Sequence, residues 1–282
     1  MKKLLLVVFM VIGISANAQE HKTYYDTGEL DEVGVLENGM PTGTWKKYYR
    51  SGQLAAIATM EAGMPIGEAK VYHENGQLAE VRVYQKGRIH GTYKEYSENG
   101  QLIKIGSYSN GDQQGTWKEY YKNGQLKEIG AYKNDRRDGQ WEMYYEDGKL
   151  SELINYKDQV REGIYEKYYK DGTLEKTGAY EDGDGFGEWK YYHGNGKLAE
   201  IGNYEKGSKD GEWKHYHDNG QLYHVLLHDK GRLMDVISCF DGKGNRLEKG
   251  SLVNGDGTVN YYDSNGKLLE TIDYLDGYLP IF

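Results

Sequence analysis

GTWKEYYKNGQLKEIG, from Gly115 to Gly130, decides the fold. Two runs in which rings and apolar residues alternate with charges flank Asn123-Gly124, and that dipeptide between alternating runs is a strong short-range signal for a β-hairpin. The expected connection is a type I′ turn, whose two central residues take positive φ, a conformation glycine adopts freely and asparagine tolerates. A two-residue turn fixes the register: Lys122 faces Gln125, Tyr121 faces Leu126, Tyr120 faces Lys127, Lys118 faces Ile129 and Trp117 faces Gly130. Pleating then puts Trp117, Glu119, Tyr121, Leu126, Glu128, Gly130 and Tyr132 on one face, and Lys118, Tyr120, Lys127, Ile129 and Ala131 on the other. The first face carries the larger rings, and the indole of Trp117 is expected to cover the bare backbone of Gly130.

The same words recur along the chain. Gly28, Gly52, Gly76, Gly100, Gly124, Gly148, Gly172, Gly196 and Gly220 are each 24 residues apart, Gly244 keeps the register, and Gly266 follows after a deletion of two. That is about eleven copies of one unit. A single hairpin cannot bury its rings, whereas stacked hairpins can. The expected fold is therefore all-β, an elongated, twisted, single antiparallel sheet of tandem 24-residue β-hairpins. Successive hairpins join through a second turn spanning Lys133 to Gly139, a stretch of turn formers and charges.

Bulk composition bears this out. A mean hydropathy of −0.84 and 28% charged residues point toward a solvated chain, but 28 tyrosines, five tryptophans and four phenylalanines supply enough ring area for a core. Three prolines against 39 glycines suit hydrogen-bonded ladders and tight turns. Cys239 is the only cysteine, so no internal disulfide is expected and stability must come from packing.

Residues 1–18 read as a secretory signal peptide: Lys2 and Lys3 precede an apolar run from Leu4 to Ile14, and Ala16-Asn17-Ala18 offers small residues for cleavage before Gln19. The run is too short to span a bilayer, and no cysteine follows it to carry a lipid. Export across the inner membrane to the periplasm or the exterior is expected, with no membrane insertion afterwards. Loss of Lys2 and Lys3 takes the formal charge from −9 to about −11, which disfavours nucleic acid and anionic lipid as partners.

The copies are unequal. Ala69 stands where other units have Trp, and Pro41 and Pro65 occupy equivalent turn positions. The stretch from His224 to Phe240 is the most irregular and apolar. Residues 19–225 are read as regular repeats and 226–282 as degenerate repeats and a C-terminal cap, with Cys239 and Phe240 inside it.

The unit GTWKEYYKNGQLKEIGAYKN resembles the MORN repeat variant, over about residues 24 to 277, and the whole chain resembles the YwqK-type proteins regarded as antitoxins of toxin–antitoxin pairs. The resemblance implies a non-enzymatic scaffold that binds a protein partner, antitoxin-like in one version. An exported chain in that role would need a toxin that is itself exported or sits in the envelope.

No catalytic set stands out. Glu119, Glu142 and Glu166 recur with the period, which marks a solvated face rather than acid–base pairs. Gly183-Asp184-Gly185-Phe186-Gly187 is dense in glycine, but it falls on a turn between repeats with no helix to follow, so it is no phosphate cradle. His215, His217, His224 and His228 break the period. The register sets His215 opposite His224, with His217 and His228 on that face and His193 one period before His217. Cross-strand imidazoles ligate zinc or copper; equally, histidine replaces tyrosine in an aromatic ladder, as His73 does. No cofactor is expected. The ring face, comprising Trp45, Tyr49, Trp117, Tyr121, Trp141, Tyr145, Trp189 and Trp213, is the candidate binding face. It suits a protein partner or, alternatively, an envelope or matrix polysaccharide stacked on a Trp/Tyr ladder.

Overall fold

A computed structural model describes residues 18–280, so the expected leader, all but its final Ala18, lies outside the described residues. Among them there are 23 strands and no helix, hence no helix long and apolar enough to cross a membrane. Twenty-one strands belong to one antiparallel sheet and two to a separate hairpin. The described residues divide into two compact units, 18–102 with 108–111, and 103–107 with 112–280. In each unit the strands pair with their neighbours in sequence, as tandem hairpins require.

In the second unit, strand Asp112–Tyr120 pairs with Leu126–Lys133, and Trp117 faces Gly130 and Lys118 faces Ile129 as the sequence implies. The pairing departs from expectation nearer the turn. Tyr120 faces Leu126 rather than Lys127, which is left in a bulge, and the Tyr121 amide bonds to the Gln125 carbonyl at 2.8 Å. Only Gly124 has positive φ there, at +87°; Asn123 does not. The loop therefore has three residues and closes on a left-handed glycine, the other common way to connect antiparallel strands.

Type I′ geometry belongs instead to the connection between hairpins. Asn134 and Asp135 have φ of 51° and 63°, and Asn38-Gly39, Asn110-Gly111 and Asp182-Gly183 follow suit. The expected long second turn is thus two residues, and Arg136–Arg137 and Gly139–Tyr144 are already strand.

Asn123 serves another purpose. Its Oδ1 accepts the Gln125 amide at 2.9 Å and its Nδ2 donates to the Glu146 carbonyl, 23 residues on, at 2.8 Å. Asn75, Asn195 and Asn219 donate in the same way to Glu98, Asp218 and Gly242. The neighbouring tyrosine column does likewise: Tyr49, Tyr121, Tyr145 and Tyr169 donate their hydroxyls to the carbonyls of Tyr72, Tyr144, Tyr168 and Tyr192, at 2.5 to 2.8 Å. Each turn is thereby tied to the next.

Beyond Leu226 the packing changes. Strands Leu222–Asp229 and Arg232–Cys239 still pair, but Leu226, Leu233, Val236, Leu252 and Val259 are buried together, an aliphatic core where the repeats have rings. The separate hairpin, Gly257–Tyr262 with Leu268–Tyr274, is held against this core, the Tyr262 amide donating to the Tyr223 hydroxyl at 2.7 Å.

Candidate functional site

The ring face is built on a relation that register alone does not give. The indole of Trp117 lies not over its register partner Gly130 but over Gly106, on the preceding strand, where an added Cβ would stand 2.1 Å from the ring. Gly130 is covered by Trp141, Gly178 by Trp189, Gly202 by Trp213 and Gly34 by Trp45. Each indole thus reaches back over a glycine eleven residues earlier, and Trp141, Trp189 and Trp213 then donate Nε1–H to the carbonyls of Ala131, Ala179 and Asn203, at 3.1 to 3.2 Å. The chain's own variation supports the pairing: Ala69, Tyr93 and Tyr165 replace Trp, and Ala58, Arg82 and Ile154 replace the glycine. A flat bicyclic ring needs a bare backbone beneath it; smaller rings and methyl groups do not.

Tyrosines fill the intervals. Tyr132 meets Trp117 and Trp141 edge-on, with centroids 6.0 and 5.0 Å apart, and Tyr180 and Tyr204 do the same for Trp189 at 5.3 and 5.7 Å. These T-shaped contacts suit the ring quadrupole and leave the indoles almost no surface: Trp117, Trp141, Trp189 and Trp213 are at most 3% exposed. Burial lifts the Tyr165 and Tyr191 hydroxyls well above the ordinary phenol range. Of the eight residues expected on the binding face, those four are therefore packed into the sheet, Tyr49, Tyr121 and Tyr145 hold turns together, and Trp45, in the first unit, is half-buried beside a cavity of about 270 Å³ that Ala56, Ala58 and Met60 also line.

Cations complete the ladder in the second unit. Lys104 Nζ stands 5.5 Å from the Trp117 ring centre, Arg137 Cζ 4.0 Å from Trp141 and Lys209 Nζ 4.0 Å from Trp213. Arg137 and Lys209 each precede their tryptophan by four residues. The corresponding residue before Trp189 is Gly185, and among the described residues no cation stands over Trp189. A cavity of about 200 Å³ opens there, walled by Tyr180, Trp189, Tyr191, Tyr204 and Lys176. The Lys176 ammonium is directed at Tyr165, 5.3 Å away. A second cavity, of about 310 Å³, also borders Gly185 and is lined by Phe186 with Glu181, Asp182, Asp184, Glu205 and Lys206.

The opposite face has a patch of its own. Ile164 faces Ala179, which faces Phe186, across three neighbouring strands, and Ile164 and Phe186 are 59% and 47% exposed. Both lie where the strand is bulged: Gly163 has φ of +80°, and Asn155 Nδ2 bridges to the Ile164 carbonyl at 2.9 Å.

The histidines divide. His215 faces His224 as expected, and His228 occupies the tyrosine column, edge-on to Trp213 at 6.3 Å. His217 does not join them. It takes the place of Tyr169 in the turn column, its Nε2 at 3.0 Å from the Phe240 carbonyl, as His193 does with Tyr216 and His73 with Tyr96. A bulge between His215 and Tyr216 breaks the alternation that would have kept His217 on the common face. Among the described residues, no three His, Cys, Asp or Glu side chains come close enough to hold a metal ion. Burial pushes His215, His224 and His228 down to about 4, with Lys209 next for His215 and His228 and the neighbouring His215 next for His224. Cys239, opposite His224, is fully buried, and burial pushes its thiol up to about 11. Of the periodic carboxylates, Glu142 and Glu166 accept the hydroxyls of Tyr144 and Tyr168, and Glu119 pairs with Lys127.

Sequence reasoning named Trp189 and set Gly185 and Phe186 aside as part of a glycine-dense turn, whereas they lie in the strand Asp184–Tyr192; it missed Tyr180, Tyr191, Tyr204 and Ile164. The signal was there: aligning Arg137, Arg161, Gly185 and Lys209 in one column exposes the missing side chain.

Among curated proteins no relative matches the sequence. Three solved structures align along most of the chain at low identity: "Crystal Structure of TcdB2-TccC3" at 13%, covering 92% of this chain and 18% of that one with a TM-score of 0.20; the form "without hypervariable C-terminal region" at 12%, covering 94% and 16%, TM-score 0.20; and "TcdB2-TccC3-Cdc42" at 14%, covering 92% and 17%, TM-score 0.19. The chain spans less than a fifth of each, and superpositions this poor bear on neither fold nor function. The MORN repeat variant profile is different in kind. It matches residues 41–62, 65–86, 89–110, 113–134, 137–158, 161–182, 187–206, 209–227 and 255–276. Those segments cover more than half of the chain and follow the spacing of the glycine-covering indoles, so the protein belongs to the MORN repeat variant family.

Proposed function

We propose that this protein is an exported, non-enzymatic scaffold that holds a protein partner on the face of its hairpin repeats. The observation that carries the reading is the Ile164–Ala179–Phe186 row: two large apolar side chains, roughly 10 Å apart across three strands, stand open to solvent on the face opposite the indoles. Rings buried in the ladder contribute stability; rings and branched chains left outside it are what a partner can cover. An antitoxin-like role, with an envelope or exported toxin as the partner, is the narrower form of this reading, and it rests on family resemblance alone.

Polysaccharide binding is the alternative. Stacking on sugars needs ring faces open to solvent, and the four tryptophans of the second unit are covered, which weighs against it. Capture from cell-envelope extract tests the two. A protein retained by the native chain and lost by the Ile164→Glu, Phe186→Glu variant supports the scaffold. Retention on insoluble polysaccharide, lost on Trp45→Ala, would replace it with the alternative.

A further inference from the structure

We propose that the cavity over Trp189 is a receptor for a basic side chain, an arginine or lysine, of the protein partner. The inference rests on the scaffold reading and names the chemistry of the partner's contact. The other tryptophans of the second unit show what the place above an indole prefers. Trp117, Trp141 and Trp213 are each approached by a cation from this chain, at 5.5, 4.0 and 4.0 Å. A cation over an indole is attracted by the negative face of the ring, the more so where water is excluded.

At Trp189 the ring, the edge-on Tyr180 and Tyr204 and the bare strand are all present, but among the described residues no cation stands over the indole: Lys176, the counterpart of Lys104, turns to Tyr165, and Arg161 stands 5.2 Å from the Tyr180 ring. Gly185 stands where Arg137 and Lys209 stand in their repeats, and the space it leaves is about 200 Å³. Tyr191 and Tyr204 hold each other by a hydroxyl pair at 3.1 Å, which fixes one wall of the cavity.

The surroundings suit a positive visitor. The adjoining cavity, which shares Gly185, presents Glu181, Asp182, Asp184 and Glu205 against the single cation Lys206. Lys176 lines the aromatic cavity, but its ammonium is directed at Tyr165. Carboxylates in a neighbouring cavity draw a guanidinium or ammonium group near, and aromatic walls hold it once its water is shed. Phe186 lines the adjoining acidic cavity and not the aromatic one.

Gly185 also supplies the test, because it can bear a side chain. Its φ is not in the left-handed region, and an added Cβ would meet Tyr204 and Trp189 at 3.5 and 3.6 Å, ordinary contact distances. Gly185→Arg should therefore fold and fill the cavity from within, as Arg137 does in its repeat. The full chain, labelled at the indole nitrogens, is titrated with acetyl-arginine amide and, separately, with the neutral isostere acetyl-citrulline amide, and the Trp189 N–H resonance is followed by NMR. The expected result is a saturable shift with arginine, binding about tenfold weaker or worse with citrulline, and no shift in Gly185→Arg. Equal binding of citrulline, a flat native titration, or an unchanged titration in Gly185→Arg would overturn the proposal. A flat titration combined with a partner lost on Phe186→Glu would end this site and leave the scaffold standing. Arginine binding with no partner captured would do the reverse.

Discussion

The indole of Trp189 occupies the space above Gly178 that the Cβ of any other residue would fill, 2.2 Å from the nearest ring atom. The relation recurs at every tryptophan in the chain, so the pair acts as one unit of packing. Gly178→Ala is expected to destabilise the second unit by about 2–3 kcal/mol, because the ring must leave its place over the backbone. Adding Trp189→Ala should cost much less than the sum of the two single changes, since an alanine pair already occupies positions 58 and 69. Urea unfolding of the two single variants and the double one, followed by far-ultraviolet circular dichroism, checks both statements, and additive losses would show that the contact is incidental.

The turn-to-turn bonds should be modest and nearly uniform. Tyr169→Phe removes the hydroxyl that donates to the Tyr192 carbonyl at 2.8 Å, and Asn195→Ala removes the amide that donates to Asp218 at 2.7 Å. Each is expected to cost about 1 kcal/mol, the usual net worth of such a bond where water can reach the partner left behind. Amide hydrogen exchange should quicken at the tied turn and leave distant repeats unchanged.

Acid should loosen the junction between the repeats and the aliphatic core. His215, His224 and His228 bind a proton in the folded chain only at about 4, against 6.5 when free, because burial favours the neutral ring. As pH falls from about 6.5 to about 4, the unfolded chain takes up protons that the folded chain refuses, so stability falls across that window and levels off below it. For His224, the most deeply buried, the loss is on the order of 2–3 kcal/mol. His228→Tyr, which restores the residue type of its column, should make the dependence shallower when denaturation midpoints are measured through the window.

Zinc should find no site among the histidines. His215 and His224 face each other, but His217 is turned to the Phe240 carbonyl and His228 lies against Trp213. Calorimetric titration of the purified chain with zinc is expected to give no stoichiometric heat, and a one-to-one isotherm lost on His224→Ala would contradict this.

Much of this architecture was legible because one period governs it. The 24-residue spacing, the antiparallel hairpins and the register of Trp117 with Gly130 all follow from alternation and turn residues, which act locally. The turn types did not follow. Asn123-Gly124 and Asn134-Asp135 are both good candidates for left-handed geometry, and only the second pair takes it at both residues; at the first, the Asn123 Oδ1 accepts the Gln125 amide, as Asp147 and Asp171 accept those of Lys149 and Thr173 in the same turn. The glycine beneath each indole lies on the strand before it, so reading one hairpin at a time finds the wrong partner. The candidate site was harder still, since it is marked by a side chain that is missing: Gly185 carries meaning only against Arg137 and Lys209.

The side-chain ties of the tyrosine and asparagine columns run one way. In every case described, the side chain donates forward along the sequence, from Tyr49 to Tyr72, from Asn123 to Glu146, and at the end from His217 and Asn219 to the carbonyls of Phe240 and Gly242. Along these columns, removing repeats from the front would strand carbonyl oxygens, which water satisfies readily, whereas the connections between hairpins run the other way, Gly111, Asp135 and Gly183 donating their amides back to the carbonyls of Ile89, Gln113 and Arg161. Removing repeats from the back would strand aimed donors and strip the aliphatic lid from the last rings. The array therefore has two grains of opposite sense, one in the hairpin turns and one in the connections between hairpins, and its rear ends in an aliphatic clasp.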